Sequence, residues 1–143
     1  MHPSCPSYIP SSLQAKPRDG KSSPPGEEDS PFFKKVFVNP QIIKEEGDSW
    51  SFNEGCLSIP EVREDVNRKE KITIQYRDEK FKLHTEILDG LAARVVQHEY
   101  DHIEGILFTD KLSTFKKKLI KSKLNNISKG NIKPDYLMSF YKR

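Results

Sequence analysis

Gln97-His98-Glu99-Tyr100-Asp101-His102 is the stretch on which the reading of this 143-residue chain turns, because it has the form H-E-x-x-H. Residues four apart on an α-helix stand one above the other, so His98 and His102 share a face at a spacing suited to one metal ion, with Glu99 beside them. The flanks predict that helix. Asp89 is a capping residue ahead of Gly90, and Gly105 supplies a stop. Leu91, Val95, His98 and His102 follow the three-and-four spacing of a buried stripe, which would carry both imidazoles towards the interior. A buried imidazole without a partner is costly, and a metal ion would satisfy it. Two ordinary helix histidines at this spacing are the plainer alternative.

Upstream, period-two patterns take over. Lys35 to Asn39 is a short β-branched and aromatic run stopped by Pro40, and Ile42-Ile43 suggests a second strand before Gly47. Trp50 and Phe52 flank Ser51 at strand spacing and are expected to pack in the core. Glu61 to Lys71 is so charged that it reads as an exposed connection, with Val62 and Val66 touching down. Ile72, Ile74 and Tyr76 alternate with polar residues, as do Phe81, Leu83, Thr85 and Ile87 beyond the polar turn Arg77-Asp78-Glu79-Lys80. That is an antiparallel hairpin with one buried face, and it leaves His84 at the surface.

Between these elements lies Asn53-Glu54-Gly55-Cys56-Leu57-Ser58-Ile59-Pro60, where Gly55 permits a backbone approach that a side chain would block. Cys56 with His98 and His102 makes a three-ligand set with room for water in a fourth position, the usual form of a catalytic divalent site. Ligation would hold Cys56 as thiolate, so it is a ligand and not the nucleophile. Water in such a site ionises near neutral pH, and Glu99 can accept its proton and hand it to a leaving nitrogen. The chemistry implied is metal-dependent amide hydrolysis.

Composition bounds the rest. Only 34% of residues are hydrophobic and 31% are charged, so part of the chain should not collapse. Residues 1–30, with Pro at 3, 6, 10, 17, 24 and 25, are read as a disordered Pro/Ser-rich arm in which Cys5 is an idle thiol. Residues 31–143 are read as the folded domain. A transit peptide is the minor alternative for the arm, which lacks an Arg-rich amphipathic pattern. Two cysteines make no disulfide framework, and no apolar run approaches the ~20 residues of a membrane span, which together suggest a cytoplasmic protein without a membrane partner. From Lys111 to Lys133 there are eight lysines and no acidic residue, with Phe115, Leu119, Ile120, Leu124 and Ile127 at helical spacing. This predicts a basic amphipathic helix over about 111–128, either a solvated face or a surface for RNA.

Taken together, Glu54-Gly55-Cys56-Leu57-Ser58 followed by Gln97-His98-Glu99-Tyr100-Asp101-His102 resembles the second and third motifs of peptide deformylase, the bacterial members most. Ile59-Pro60, Asp89-Gly90-Leu91 and Gly105 fall in fitting places, and the resemblance runs from about Phe32 into the C-terminal region. The family's first motif, Gly-x-Gly-x-Ala-Ala-x-Gln, does not occur in residues 1–53, and Gly90-Leu91-Ala92-Ala93 is not a displaced copy of it. The resemblance implies an α+β fold, N-terminally incomplete, with antiparallel strands around the central H-E-x-x-H helix and a basic helix at the C-terminus. It implies a hydrolase of protein biosynthesis that removes the formyl group from the N-terminal formyl-methionine of nascent peptides. The implied metal is Fe(II), with Zn(II), Ni(II) or Co(II) as alternatives, held by Cys56, His98 and His102. Glu99 would be the general base and then acid, the Leu57 backbone N–H an oxyanion donor, and Gly55 and Arg63 substrate contacts. The basic helix would suit docking to ribosomal RNA. Two other readings remain: a catalytically impaired, metal-binding remnant, and a zinc endopeptidase, which would not need Glu54-Gly55-Cys56-Leu57-Ser58.

Overall fold

The computed structural model describes residues 35–139, so the arm expected over 1–30 lies outside the described residues. The chain runs β1 (Val38–Cys56), β2 (Ile59–Arg77), β3 (Leu83–Asp89), α1 (Gly90–Ile103), a 3-10 turn (Phe108–Lys111) and α2 (Thr114–Ser128). The strands form one sheet in the order β1-β2-β3. This is the expected α+β class, with longer strands. Pro40, expected to stop the first strand, lies inside β1 because β1 is an edge strand, where one side of the backbone needs no donor.

The expectation of an exposed connection over Glu61 to Lys71 is corrected, since that segment is the middle of β2. Beyond Pro60 its buried positions are Val62, Val66, Arg68, Ile72, Ile74 and Tyr76, all of one parity, so a single inward face runs along this part of the strand beneath the charges. Leu57 and Ser58 form the tight turn joining β1 to β2.

The chain divides into two compact units, the first made of 35–48 with Lys69–Glu99 and the second of Ser49–Arg68 with 100–139. In the first, Ile72, Ile74 and Tyr76 of β2 pack with Ala93 and Val96 of α1, flanked by Phe37, Ile42 and Leu88. Each such fully buried large apolar side chain contributes about 1.5–3 kcal/mol. Ala93 lets the helix approach closely, and the Gln97 amide donates to the Lys69 carbonyl at 3.0 Å, which fixes the helix rotation. The buried positions of α1 are Ala93, Arg94, Val96, Gln97 and Asp101, and not the expected stripe through Leu91, Val95, His98 and His102. His98 and His102 are half-buried beside this packed side.

The β2–β3 pairing reverses another expectation. The register Ile72↔Leu88, Ile74↔Glu86 and Tyr76↔His84 sets these partners on one face, because residues directly opposite project to the same side. Leu83 and Ile87 therefore point outward, 52% and 66% exposed, and Phe81 lies in the turn at φ 58°. His84, expected at the surface, is half-buried, stacked on Tyr76 with centroids 5.4 Å apart and 2.8 Å from Asp78 Oδ2.

Beside that stack the Lys35 ammonium donates to both Glu86 carboxylate oxygens, and it holds the Glu86 carboxyl below its ordinary value of 4.5 against the opposing effect of burial. A depressed folded-state pKa gives stability that is present above the unfolded value and lost as pH falls through the folded one. Glu86→Gln should accordingly flatten the fall in melting temperature below pH 4.5, the carboxyl's ordinary value, relative to the parent. Parallel acid profiles for the two proteins would show that the pair contributes nothing measurable.

In the second unit Ile59, Val62 and Val66 of β2 close on Phe108, Leu112 and Ile127, with Cys56, Ile120, Leu124 and Ile132 alongside. The basic helix starts at Thr114 and not at Lys111, because Ser113 is its N-cap, with the Oγ accepting from the Lys116 N–H at 3.3 Å. Phe115 and Leu119 stand outside its packed stripe and are exposed. Gly130 ends it, its N–H bonded to Ile127 O and that of Asn131 to Asn126 O, the paired bonds of a left-handed helix stop.

Candidate metal centre

Helix α1 places its donors through its own ending. Gly105, at φ 74°, donates to His102 O at 3.2 Å and Ile106 to Asp101 O at 2.8 Å, so His102 lies in a last turn that is closed off by the same kind of stop. His98 is one turn earlier, and Glu99 follows it, half-buried. Cys56 is the last residue of β1, where its side chain rests against the Ile59–Phe108 cluster.

Cys56 Sγ lies 3.2 Å from His102 Nε2. Cys56, His98 and His102 each offer one ligand atom, and these atoms all lie within 4.8 Å of one another. Bonds of about 2.3 Å to sulfur and 2.0–2.1 Å to nitrogen set neighbouring donors of a tetrahedral ion roughly 3.5 Å apart, so the donor set fits a first-row divalent ion with little movement. One thiolate and two imidazoles suit zinc, iron, nickel or cobalt and disfavour magnesium or calcium.

The remaining expected site residues fall around the Leu57-Ser58 turn. Leu57 is exposed, and its carbonyl accepts a hydrogen bond from Tyr136 Oη at 2.5 Å, which ties the 131–139 segment to this turn. Burial, joined by the charges of Cys56 and Asp135, pushes the Tyr136 phenol up from 10.0. A Cβ on Gly55 would sit 2.8 Å from Arg63 Nη1, so the glycine makes room for the guanidinium to lie across the strand. Arg63 is exposed and donates from Nε to Asn53 Oδ1 at 2.9 Å and from Nη2 to Asn53 O at 2.8 Å.

Sequence reasoning missed a buried ionic cluster. Arg68 donates from Nε and Nη2 to the two Glu54 oxygens at 2.7 and 3.0 Å, and from Nη1 to Asp101 Oδ2 at 2.6 Å. Burial opposes the charge on Arg68, but the hydrogen bonds with Glu54 and Asp101 more than offset it and raise the guanidinium above its ordinary value. Lys111 Nζ adds a contact to Asp101 Oδ2 at 3.2 Å. The available signal was parity: Arg68 shares the even-numbered positions of Val66 and Ile72.

The polypeptide deformylase family matches residues 13–118. A peptide deformylase of Christiangramia forsetii is 70% identical over 107 residues, 75% of this chain and 55% of that protein. One of Flavobacterium johnsoniae is 62% identical over 108 residues, 76% of this chain and 55% of that protein. Among solved structures, Arabidopsis thaliana peptide deformylase 1B in complex with an inhibitor superposes with a TM-score of 0.65 at 37% identity, over 68% of this chain and 54% of that one. The Plasmodium falciparum peptide deformylase complex with inhibitor gives 0.62 at 38% identity, over 65% and 60%. The chain thus spans about half the length of the curated relatives it matches.

Proposed function

We propose, from the premise that this chain belongs to the polypeptide deformylase family, that it hydrolyses the N-formyl group of formyl-methionyl nascent peptides. The observation that carries the proposal is the Cys56–His98–His102 donor group with Glu99 beside His98 on the same helix. A zinc endopeptidase needs only the helix pair, whereas here the Glu54-Gly55-Cys56-Leu57-Ser58 segment supplies the third donor.

Cys56, His98 and His102 would hold Fe(II), or Zn(II), Ni(II) or Co(II) in its place. A divalent ion bound there supplies Lewis acidity and makes a water acidic near neutral pH. Glu99 then accepts the proton of the attacking water and delivers it to the departing amine nitrogen, so that formate leaves and the peptide amine is freed. The backbone N–H of Leu57, on a turn restrained by Tyr136, donates to the carbonyl oxygen as it gains charge. Gly55 leaves room for Arg63 to lie across the strand, and Arg63, held by Asn53, contacts the substrate peptide there.

The test is formate release from a formyl-Met peptide by the iron-loaded chain, with Cys56→Ser as control. Turnover well above the control is expected. Stoichiometric metal with turnover at the control level would instead mark a metal-binding module without catalysis.

The lysine face of α2 supports a second part of the proposal, docking to ribosomal RNA. Lys116 pairs with Glu64 at 2.9 Å and Lys123 lies 3.9 Å from Glu61, while among the described residues Lys117, Lys118 and Lys121 make no ion pair. Substituting those three by Ala should weaken ribosome co-sedimentation and reduce its log–log salt slope by about 0.7–0.9 for each phosphate that is no longer neutralised. An unchanged slope would return this helix to a solvated face. No helix among the described residues is long and apolar enough to cross a membrane, and a cytoplasmic site of action fits the substrate.

A further inference from the structure

We propose that Arg68 is a positioning residue for the metal donors, the central tie of a buried Glu54–Arg68–Asp101 network that sets Cys56 and His102 at ligating distance. The inference rests on the metal reading above, and its reasons are geometric. Glu54 precedes Cys56 by two residues at the end of β1, and Asp101 immediately precedes His102 in the last turn of α1. Arg68, from β2, grips both: a two-pronged pair to Glu54 at 2.7 and 3.0 Å and a single bond to Asp101 at 2.6 Å. The three residues are 5%, 4% and 7% exposed, so the bonds are shielded from water and held in one geometry. A planar guanidinium suits this task, because its fixed fork can hold two carboxylates at a set angle where a lysine ammonium acts as a point charge.

The consequence is visible at the donors. Cys56 Sγ and His102 Nε2, on a strand and a helix that no short loop joins, stand 3.2 Å apart. Without a tie between the residues that flank them, that separation would depend on apolar packing alone, which is tolerant of small slides. Lys111, 3.2 Å from Asp101 Oδ2, adds a positive charge to the same carboxylate and keeps the cluster of two acids and two bases balanced. Supporting residues behind ligands commonly change metal affinity by about 10–100-fold when removed.

The test titrates the full chain with Co(II), reading the thiolate-to-cobalt absorption and the dissociation constant, with circular dichroism and melting followed on the same samples. Two variants are compared with the parent. Arg68→Met combined with Glu54→Gln and Asp101→Asn removes the network without stranding a charge, and Arg68→Lys keeps the charge and loses the fork. The combined variant, folded, is expected to bind Co(II) about 10–100-fold more weakly with a shifted thiolate band, and Arg68→Lys to fall between it and the parent. Parental affinity and absorption in the folded combined variant would overturn the proposal. If that variant does not fold, Arg68→Lys decides alone: a parental dissociation constant and band overturn the proposal, and a weakened one with a parental melting temperature upholds it. A parent chain with no cobalt–thiolate band removes the metal reading and this inference with it, whereas a parent that binds Co(II) but releases no formate removes only the catalytic reading.

Discussion

Glu99→Gln should lower kcat for formate release by about 10²–10⁴-fold while the melting temperature and Co(II) affinity stay at parental values. The amide keeps the size and shape of the carboxylate, so the helix is not disturbed. Glu99 is half-buried on α1, outside the packed group of Ala93 and Val96, and it is not one of the three donors. The amide cannot accept a proton from water or return one to the amine. Because those transfers occur only on the way to the transition state, the loss should fall on kcat and kcat/KM together, with KM little changed. A Glu99→Gln variant that releases formate at the parental rate would remove Glu99 from the chemistry and leave the helix as a ligand carrier only.

That the helix was legible and its surroundings less so has a physical cause. The His98 and His102 spacing is local, one turn of one helix, and the glycine stop at Gly105 sits where its neighbours predict. Cys56 was legible because its segment has an unusual composition beside a glycine that clears Arg63. The face of β3 was not, because Leu83 and Ile87 are apolar yet their orientation is dictated across the sheet by Ile72, Ile74 and Tyr76. Pro40 misled for a similar reason: whether proline stops a strand depends on which side of it has a partner. Arg68 is the clearest instance. In sequence it is one charge in a charged run, and only carboxylates 14 and 33 positions away make its burial tolerable.

The same nonlocal packing makes Phe108 the side chain whose loss should cost most stability. Phe108 opens the 3-10 turn after α1, is 1% exposed, and lies among Val62, Val66, Leu112 and Ile127. Phe108→Ala should destabilise the chain by about 3–5 kcal/mol, since the lost transfer energy is joined by that of a cavity the surrounding strand and helix cannot close. Against a typical total of about 5–15 kcal/mol this is enough to leave a measurable unfolded fraction at moderate temperature. Phe115, the same residue type and 70% exposed on α2, is the internal comparison, and Phe115→Ala should fall within about 0.5 kcal/mol of the parent. Urea titration separates the two, because a pure stability change shifts the midpoint and leaves the slope alone. Equal midpoints for both variants would mean that Phe108 is not enclosed as described. Cys56 packs on the same cluster, so a loosened Phe108 site should also weaken Co(II) binding in the fraction that remains folded, which links the core of this unit to the donor it presents.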